Sequence, residues 1–296
     1  MSTIPADWPY RASSHRIRCA PHDWHVQLHG SGRDLLLLHG AGSSCHSWRH
    51  LVPLLPAYRL IVPDLPGQGF TRAGRRGRFG LDAMADDLAH LMRAEGWAPA
   101  AIIGHSAGAA IALRMAELLP APPAALVGIN AALGPFEGFA GWLFPKLARA
   151  MAMSPMVAHV VARMSSERAR VERLISGTGS TLDAEGIELY RRLIAAPGHV
   201  EATLGMMADW QLEPLLARLA QVRPPVLLIA ARHDRAVPPG VSRAAAARLR
   251  AVEYAEIPKY GHLVHEESPA AVAGALLPFL ARHLGPPRRA EQARGR

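Results

Sequence analysis

A chain of 296 residues, half of them hydrophobic, is long enough for one large core, either as one big domain or as a domain carrying an inserted subdomain. The formal net charge is +9, yet all but two of the 33 basic residues are arginine, which in a chain rich in Ala, Gly and Pro reads as compositional bias before it reads as a nucleic-acid or membrane footprint. Cys19 and Cys45 make no disulfide framework, the N-terminus shows no apolar signal core, and no uninterrupted run of 18 apolar residues exists, so the expectation is a cytoplasmic chain without a spanning helix.

In chain order, His15–Gly30 predicts two short strands with a turn at Pro21–Asp23. "DLLLLHG" (34–40) is a continuous apolar run, as expected of a parallel strand buried on both faces. "SWRHLVPLLP" (47–56) predicts a helix, and "YRLIVPDLPGQGFT" (58–71) a strand running into a Gly/Pro loop. Met84, Leu88, Leu91 and Met92 give Leu81–Glu95 a helical period. "AAIIGHSAGAAIALRMAELL" (100–119) reads strand, sharp turn, helix, and "AALVGIN" (124–130) is a further strand. Two clusters of basic residues, Arg72/Arg75/Arg76/Arg78 and the tail from 285, lack interleaved aromatics; they predict solvated surface first, an acidic partner second, and no nucleic-acid platform.

From 131 to about 215 the alternation stops, and the stretch is helical in character. Within it, "SGTGST" (176–181) is no phosphate loop, because the lysine and the spacing are missing. Ser180 is expected to cap a helix bearing Ile187, Tyr190 and Ile194 on one face, and Gly177 and Gly179 to form a joint between two helices. Strand, helix, strand and helix then resume at 224–234, 240–250, 251–258 and 268–284. The predicted class is α/β, a mostly parallel sheet covered on both faces. The core is expected over 1–130 and 216–284, a helical lid over 131–215 and a basic tail over 285–296.

"GHSAG" (104–108) has the G-x-S-x-G spacing in the strand–turn–helix setting that a nucleophile elbow requires, with Ser106 exposed at a helix N-terminus. "HGAG" (39–42) ends an apolar strand and offers a flexible backbone for the Ala41 amide, which with the Ala107 amide makes the expected oxyanion hole. Asp234 follows a strand, and His262 lies between the last strand and the last helix. Ser106, Asp234 and His262 therefore stand in the chain order of a Ser/Asp/His triad. His39 is expected to be a structural hydrogen-bonder and Asp64 a loop organiser, and Asn130 occupies a place where some relatives carry the acid. The scattered histidines show no metal-ligand spacing, and no cofactor motif is present.

Together, "HGAG", "PDLPGQGFT", "GHSAG", "HDRAVPP" and "GHLVHEE" resemble the α/β-hydrolase superfamily over His15–Leu284. "DWPYRASS", "HGAGSSCHSW", "GHSAGAAIALRM", "SGTGSTLDAEGIELY" and "APGHV" narrow the resemblance to the magnesium-chelatase accessory hydrolases of bacteriochlorophyll biosynthesis. That resemblance implies a place in photosynthetic pigment synthesis and magnesium chelatase subunits as partners. A serine hydrolase acting on a carboxylic ester of an apolar substrate, such as a tetrapyrrole, fits it; so does a non-hydrolytic porphyrin-binding accessory on the same scaffold. Trp142, Phe144, Met153, Met206, Met207 and Trp210 are the lid residues expected to line an apolar slot, with lid packing as their alternative use. The apolar stretch 139–164 has few basic residues on its polar face, so membrane contact is the less favoured reading.

Overall fold

A computed structural model describes residues 3–74, 78–134, 162 and 167–285. Eight strands form one sheet: β1 (Ser14–Cys19), β2 (His22–His29), β3 (Arg33–Leu38), β4 (Tyr58–Pro63), β5 (Ala101–His105), β6 (Ala125–Ile129), β7 (Val226–Ala231) and β8 (Val252–Ile257). Their order is β1-β2-β4-β3-β5-β6-β7-β8. β2 is antiparallel to β1 and to β4, and every other pairing is parallel. The described helices are α1 (Leu81–Ala94), α2 (Ala107–Leu118), α3 (Arg168–Gly177), α4 (Ala184–Ile194), α5 (Pro197–Asp209), α6 (Glu213–Ala217), α7 (Pro239–Ala246), α8 (Val264–Glu267) and α9 (Pro269–Leu284).

The apolar runs follow from two-sided burial. Leu36, Leu38, Ile61, Ile102 and Leu228 point into a core shared with α1 and α2. Their neighbours Leu35, Leu37, Leu60, Ile103 and Ile229 point into a second core under α9. Since successive strand residues face opposite sides, a strand covered on both faces must be apolar at every position. Each such buried side chain contributes roughly 1.5–3 kcal/mol.

Residues 47–56 depart from the expected helix. They form only two short 3-10 turns, Cys45–Trp48 and Val52–Leu54. Pro53 lies in the second turn, and Trp48, Leu51 and Leu55 still bury their side chains in the α9-side core. Apolar spacing was thus satisfied by tight turns as well as by a helix.

Between β6 and β7 the described residues are helical, as the sequence implied. The insertion's last part belongs to the main core: Leu212, Leu215, Leu219 and Val222 are buried with α1 and α2. α4 begins at Ala184, and its cap is Asp183, whose Oδ1 accepts the Gly186 amide at 2.7 Å. The expected cap, Ser180, turns its hydroxyl elsewhere and accepts the Leu263 amide at 2.8 Å. Among the described residues, no helix is long and apolar enough to cross a membrane.

Candidate active site

β5 runs straight into α2, and the single residue between them is Ser106, at φ 52° and ψ −117°. A non-glycine residue in this region is strained, and the strain is held by backbone bonds on both sides. The Ser106 amide donates to Ile129 at the end of β6, and its carbonyl accepts from Ala109 and Ala132. The flanking glycines are demanded by contact. A Cβ on Gly104 would lie 2.3 Å from the Gly108 carbonyl carbon, and one on Gly108 would lie 2.2 Å from the Leu38 oxygen. The Ala107 amide, at the first position of α2, has no intrahelical acceptor.

Asp234 and His262 come from the loops after β7 and β8. Asp234, with its carboxylate fully buried, accepts the Ala236 and Val237 amides on Oδ1, both at 2.8 Å, and His262 Nδ1–H on Oδ2 at 2.7 Å. The tautomer follows: with the proton on Nδ1, Nε2 of a neutral His262 presents a lone pair. His262 keeps 11% of its side chain exposed. The structure thus joins Asp234 to His262. Ser106 Oγ makes no hydrogen bond among the described residues, so the serine–histidine side of the triangle is not closed by one. Catalytic hydrogen bonds are often long until substrate binds.

Behind His262 lies a buried layer whose part the sequence did not indicate. His105 Nε2–H and Asn130 Nδ2–H both donate to the His262 carbonyl at 2.8 Å, and Asn130 Oδ1 accepts the Ala231 amide at 2.8 Å. The His105 ring lies 4.7 Å from that of His262 and 4.3 Å from that of His265. Burial holds His105 well below the ordinary imidazole value and His265 down to about 3.

Ala41 sits in a loop braced from three directions. Gln68 Oε1 accepts the Gly42 amide at 2.8 Å, and the Ser43 and Tyr190 hydroxyls lie 3.1 Å apart. His199 of α5 accepts the Gly69 amide on Nδ1 at 3.0 Å and donates from Nε2 to the Gly42 carbonyl at 3.2 Å. Accepting on Nδ1 while donating from Nε2 requires a neutral ring, and burial lowers His199 to about 4. His39 donates from Nδ1 to Gly40 and accepts the Leu65 amide on Nε2, the structural part expected of it.

Under α4, Tyr190 donates to Glu266 Oε1 at 2.8 Å, and Arg49 pairs with the other oxygen. Burial outweighs the Arg49 charge and raises Glu266 to about 7. Among the described residues one group has metal-ligand chemistry: His25, Cys45 and Asp64, all buried. Its carboxylate is already committed within the protein. Asp64 accepts His25 Nδ1–H and the Cys45 and Phe70 amides, which makes it the organiser of the loop after β4.

Of the expected slot residues, Trp142, Phe144 and Met153 lie outside the described residues. Met206 is 1% exposed, packs in the main core and accepts Gln68 Nε2–H at 3.3 Å, so its surface is taken up by packing. Met207 is half-buried, and Trp210, also half-buried, packs against the same core.

A family model of the alpha/beta hydrolase fold matches residues 35–269. The chain belongs to that family. It is 48% identical over 280 residues to the magnesium-chelatase 30 kDa subunit of Rhodobacter capsulatus, covering 94% of this chain and 98% of that one. A putative carbamate hydrolase, RutD, of Variovorax paradoxus is 30% identical over 275 residues, 88% of this chain and 97% of its own. Among solved structures, the epoxide hydrolase CorEH superposes with a TM-score of 0.75 at 23% identity, covering 91% of this chain and 98% of its own, a likeness of fold. The resemblance read from the motifs is therefore carried by nearly the whole chain.

Proposed function

We propose that the protein is a serine hydrolase of a carboxylic ester, acting at the magnesium-chelatase step of bacteriochlorophyll synthesis on an apolar substrate of tetrapyrrole type. The observation that carries the chemistry is the 2.7 Å bond from His262 Nδ1–H to a buried Asp234, beside a serine held at positive φ on a strand–helix turn. The 48% identity to a magnesium-chelatase 30 kDa subunit supports the pathway and supports chelatase subunits as partners.

In this reading Ser106 Oγ attacks the ester carbonyl as its proton passes to His262 Nε2. Asp234 holds the ring in the required tautomer and stabilises the imidazolium. The amides of Ala41 and Ala107 receive the oxyanion, each worth roughly 3–4 kcal/mol in comparable sites. His262 returns the proton to the departing alcohol, leaving an acyl-serine. Water, deprotonated by the same nitrogen, then releases the acid and frees Ser106. The helical insertion acts as the lid over this site, and Met207 and Trp210, with Trp142, Phe144 and Met153, are its proposed apolar contacts.

A fluorophosphonate probe tests the chemistry: the wild type is expected to be labelled at Ser106 and Ser106→Ala to lose the label. A folded wild type that resists the probe and cleaves no ester would sink the proposal. The 48% identity to a magnesium-chelatase 30 kDa subunit fits a second reading as well, a porphyrin-binding chelatase accessory without hydrolysis. Tetrapyrrole binding and turnover, measured on wild type and Ser106→Ala side by side, separates the two. Binding retained by both with turnover by neither supports the second.

A further inference from the structure

The joint "SGTGST" is packed against both loops that carry the acid and the base. The Thr178 carbonyl accepts the amide of Arg235, next to Asp234, at 3.1 Å and the amide of His262 itself at 3.3 Å. Ser180, 1% exposed, accepts the Leu263 amide on Oγ at 2.8 Å. Glu267 accepts the Thr181 amide on Oε1 at 2.8 Å and the Gly261 amide on Oε2 at 2.9 Å.

The approach is too close for side chains. Gly179 has φ 86°, and a Cβ there would lie 2.0 Å from the His233 carbonyl oxygen. A Cβ on Gly261 would lie 2.1 Å from the Gly179 carbonyl carbon. Glycine at both places lets two backbones meet. Among the described residues the loops after β7 and β8 are also joined by the bond from the His233 amide to Tyr260 and by the Asp234–His262 contact itself, the Arg232 amide bonds Ile257 at the end of β8, and Asn130 ties the end of β7 to Gly261 and His262.

From this we infer that Thr178–Ser180, with Glu267, is a positioning strap that sets the distance between Asp234 and His262, so that the helical insertion completes the acid–base pair. The inference rests on the serine-hydrolase reading for its kinetic consequence. The strap does not touch the reacting atoms; it acts through the two loops. A displacement of the base by about 1 Å is enough to cost on the order of 100-fold in rate.

The test compares wild type, Ser180→Ala and Ser180→Thr. Ser180→Ala removes the acceptor of the Leu263 amide; Ser180→Thr keeps a hydroxyl there. Turnover of a small ester is expected to fall roughly 10- to 100-fold in kcat with little change in KM for Ser180→Ala, and to recover in Ser180→Thr. The downfield NMR resonance of His262 Nδ1–H, which needs no substrate, is expected to move or broaden in Ser180→Ala alone. A folded Ser180→Ala with wild-type kcat and an unchanged resonance overturns the strap. If the wild type cleaves no ester and takes no fluorophosphonate, the hydrolase reading has failed, and the resonance by itself then decides the strap. Should Ser180→Ala not fold, Glu267→Gln, which can accept only one of its two amides, is read in the same way.

Discussion

Asp234 shows how much a single carboxylate is asked to do. One oxygen is committed to two backbone amides and the other to His262, so the side chain cannot rotate without losing both sets. Asparagine at 234 would have to turn its NH2 toward either the amides or the imidazole. If it faces the imidazole, the ring's proton moves to Nε2, the atom meant to accept from Ser106. Asp234→Asn is therefore expected to lower kcat by about 10⁴ while leaving thermal unfolding nearly unchanged. Fluorophosphonate labelling at matched protein concentration checks it; a loss under tenfold would remove Asp234 from the proposed role. Asn130 is the second such residue. Its amide group bonds the Gly261 and His262 carbonyls and the Ala231 amide, from a backbone φ of 45° that asparagine tolerates better than most residues. Asn130→Ala leaves these buried groups unpaired, and a loss of about 3 kcal/mol in urea unfolding is expected. Asn130→Asp is expected to be worse, since a carboxylate would replace the donor facing two carbonyls.

At the scale of elements, α5 is tied to the loops beneath it by His199. The ring spans Gly69 and Gly42 only while neutral, and burial lowers it to about 4 from an ordinary value of 6.5. In the unfolded chain the imidazole takes up a proton below pH 6.5, whereas in the folded protein it does so only near 4. Stability from this residue is therefore fully present above pH 6.5 and is lost as pH falls toward 4, by roughly 3 kcal/mol. Urea midpoints measured from pH 7 to pH 4.5 are expected to drop less steeply in His199→Gln than in the wild type; parallel slopes would show that the residue does not titrate as described. The same bracing places α5 and α4 on the loop bearing Ala41, so helix docking and oxyanion-loop geometry are set by shared contacts.

On the scale of the whole molecule, the buried titrating groups oppose one another. His199 and His265 destabilise the fold in acid, and Glu266, raised to about 7 by burial, does the reverse. Its folded value exceeds its ordinary 4.5, so its share of stability is present below pH 4.5 and lost as pH rises through 7. His105, lowered by burial in the same direction, joins those two histidines against the one glutamate, and the fold as a whole is expected to weaken in acid.

Much of this was legible without coordinates. The unbroken apolar run at 35–38 is the type expected of a strand covered on both sides, the run at 226–231 resumes the strand pattern, and Gly104 and Gly108 around Ser106 mark a tight turn, all of which the structure bears out. Local spacing carries such information because strand period and turn sterics are properties of adjacent residues. Residues 47–56 differ from the expected helix for the converse reason: their apolar spacing fits a helix and two 3-10 turns equally well. Contacts between distant segments had no signal in spacing at all. Ser180 looked like a helix cap, yet its hydroxyl reaches a residue 83 positions away, while Asp183 takes the cap. Order along the chain thus determined the fold and the candidate triad. Which hydroxyl, carbonyl and imidazole hold those residues in place was decided only when the insertion packed against the loops, because long-range hydrogen bonds depend on where the backbone ends up.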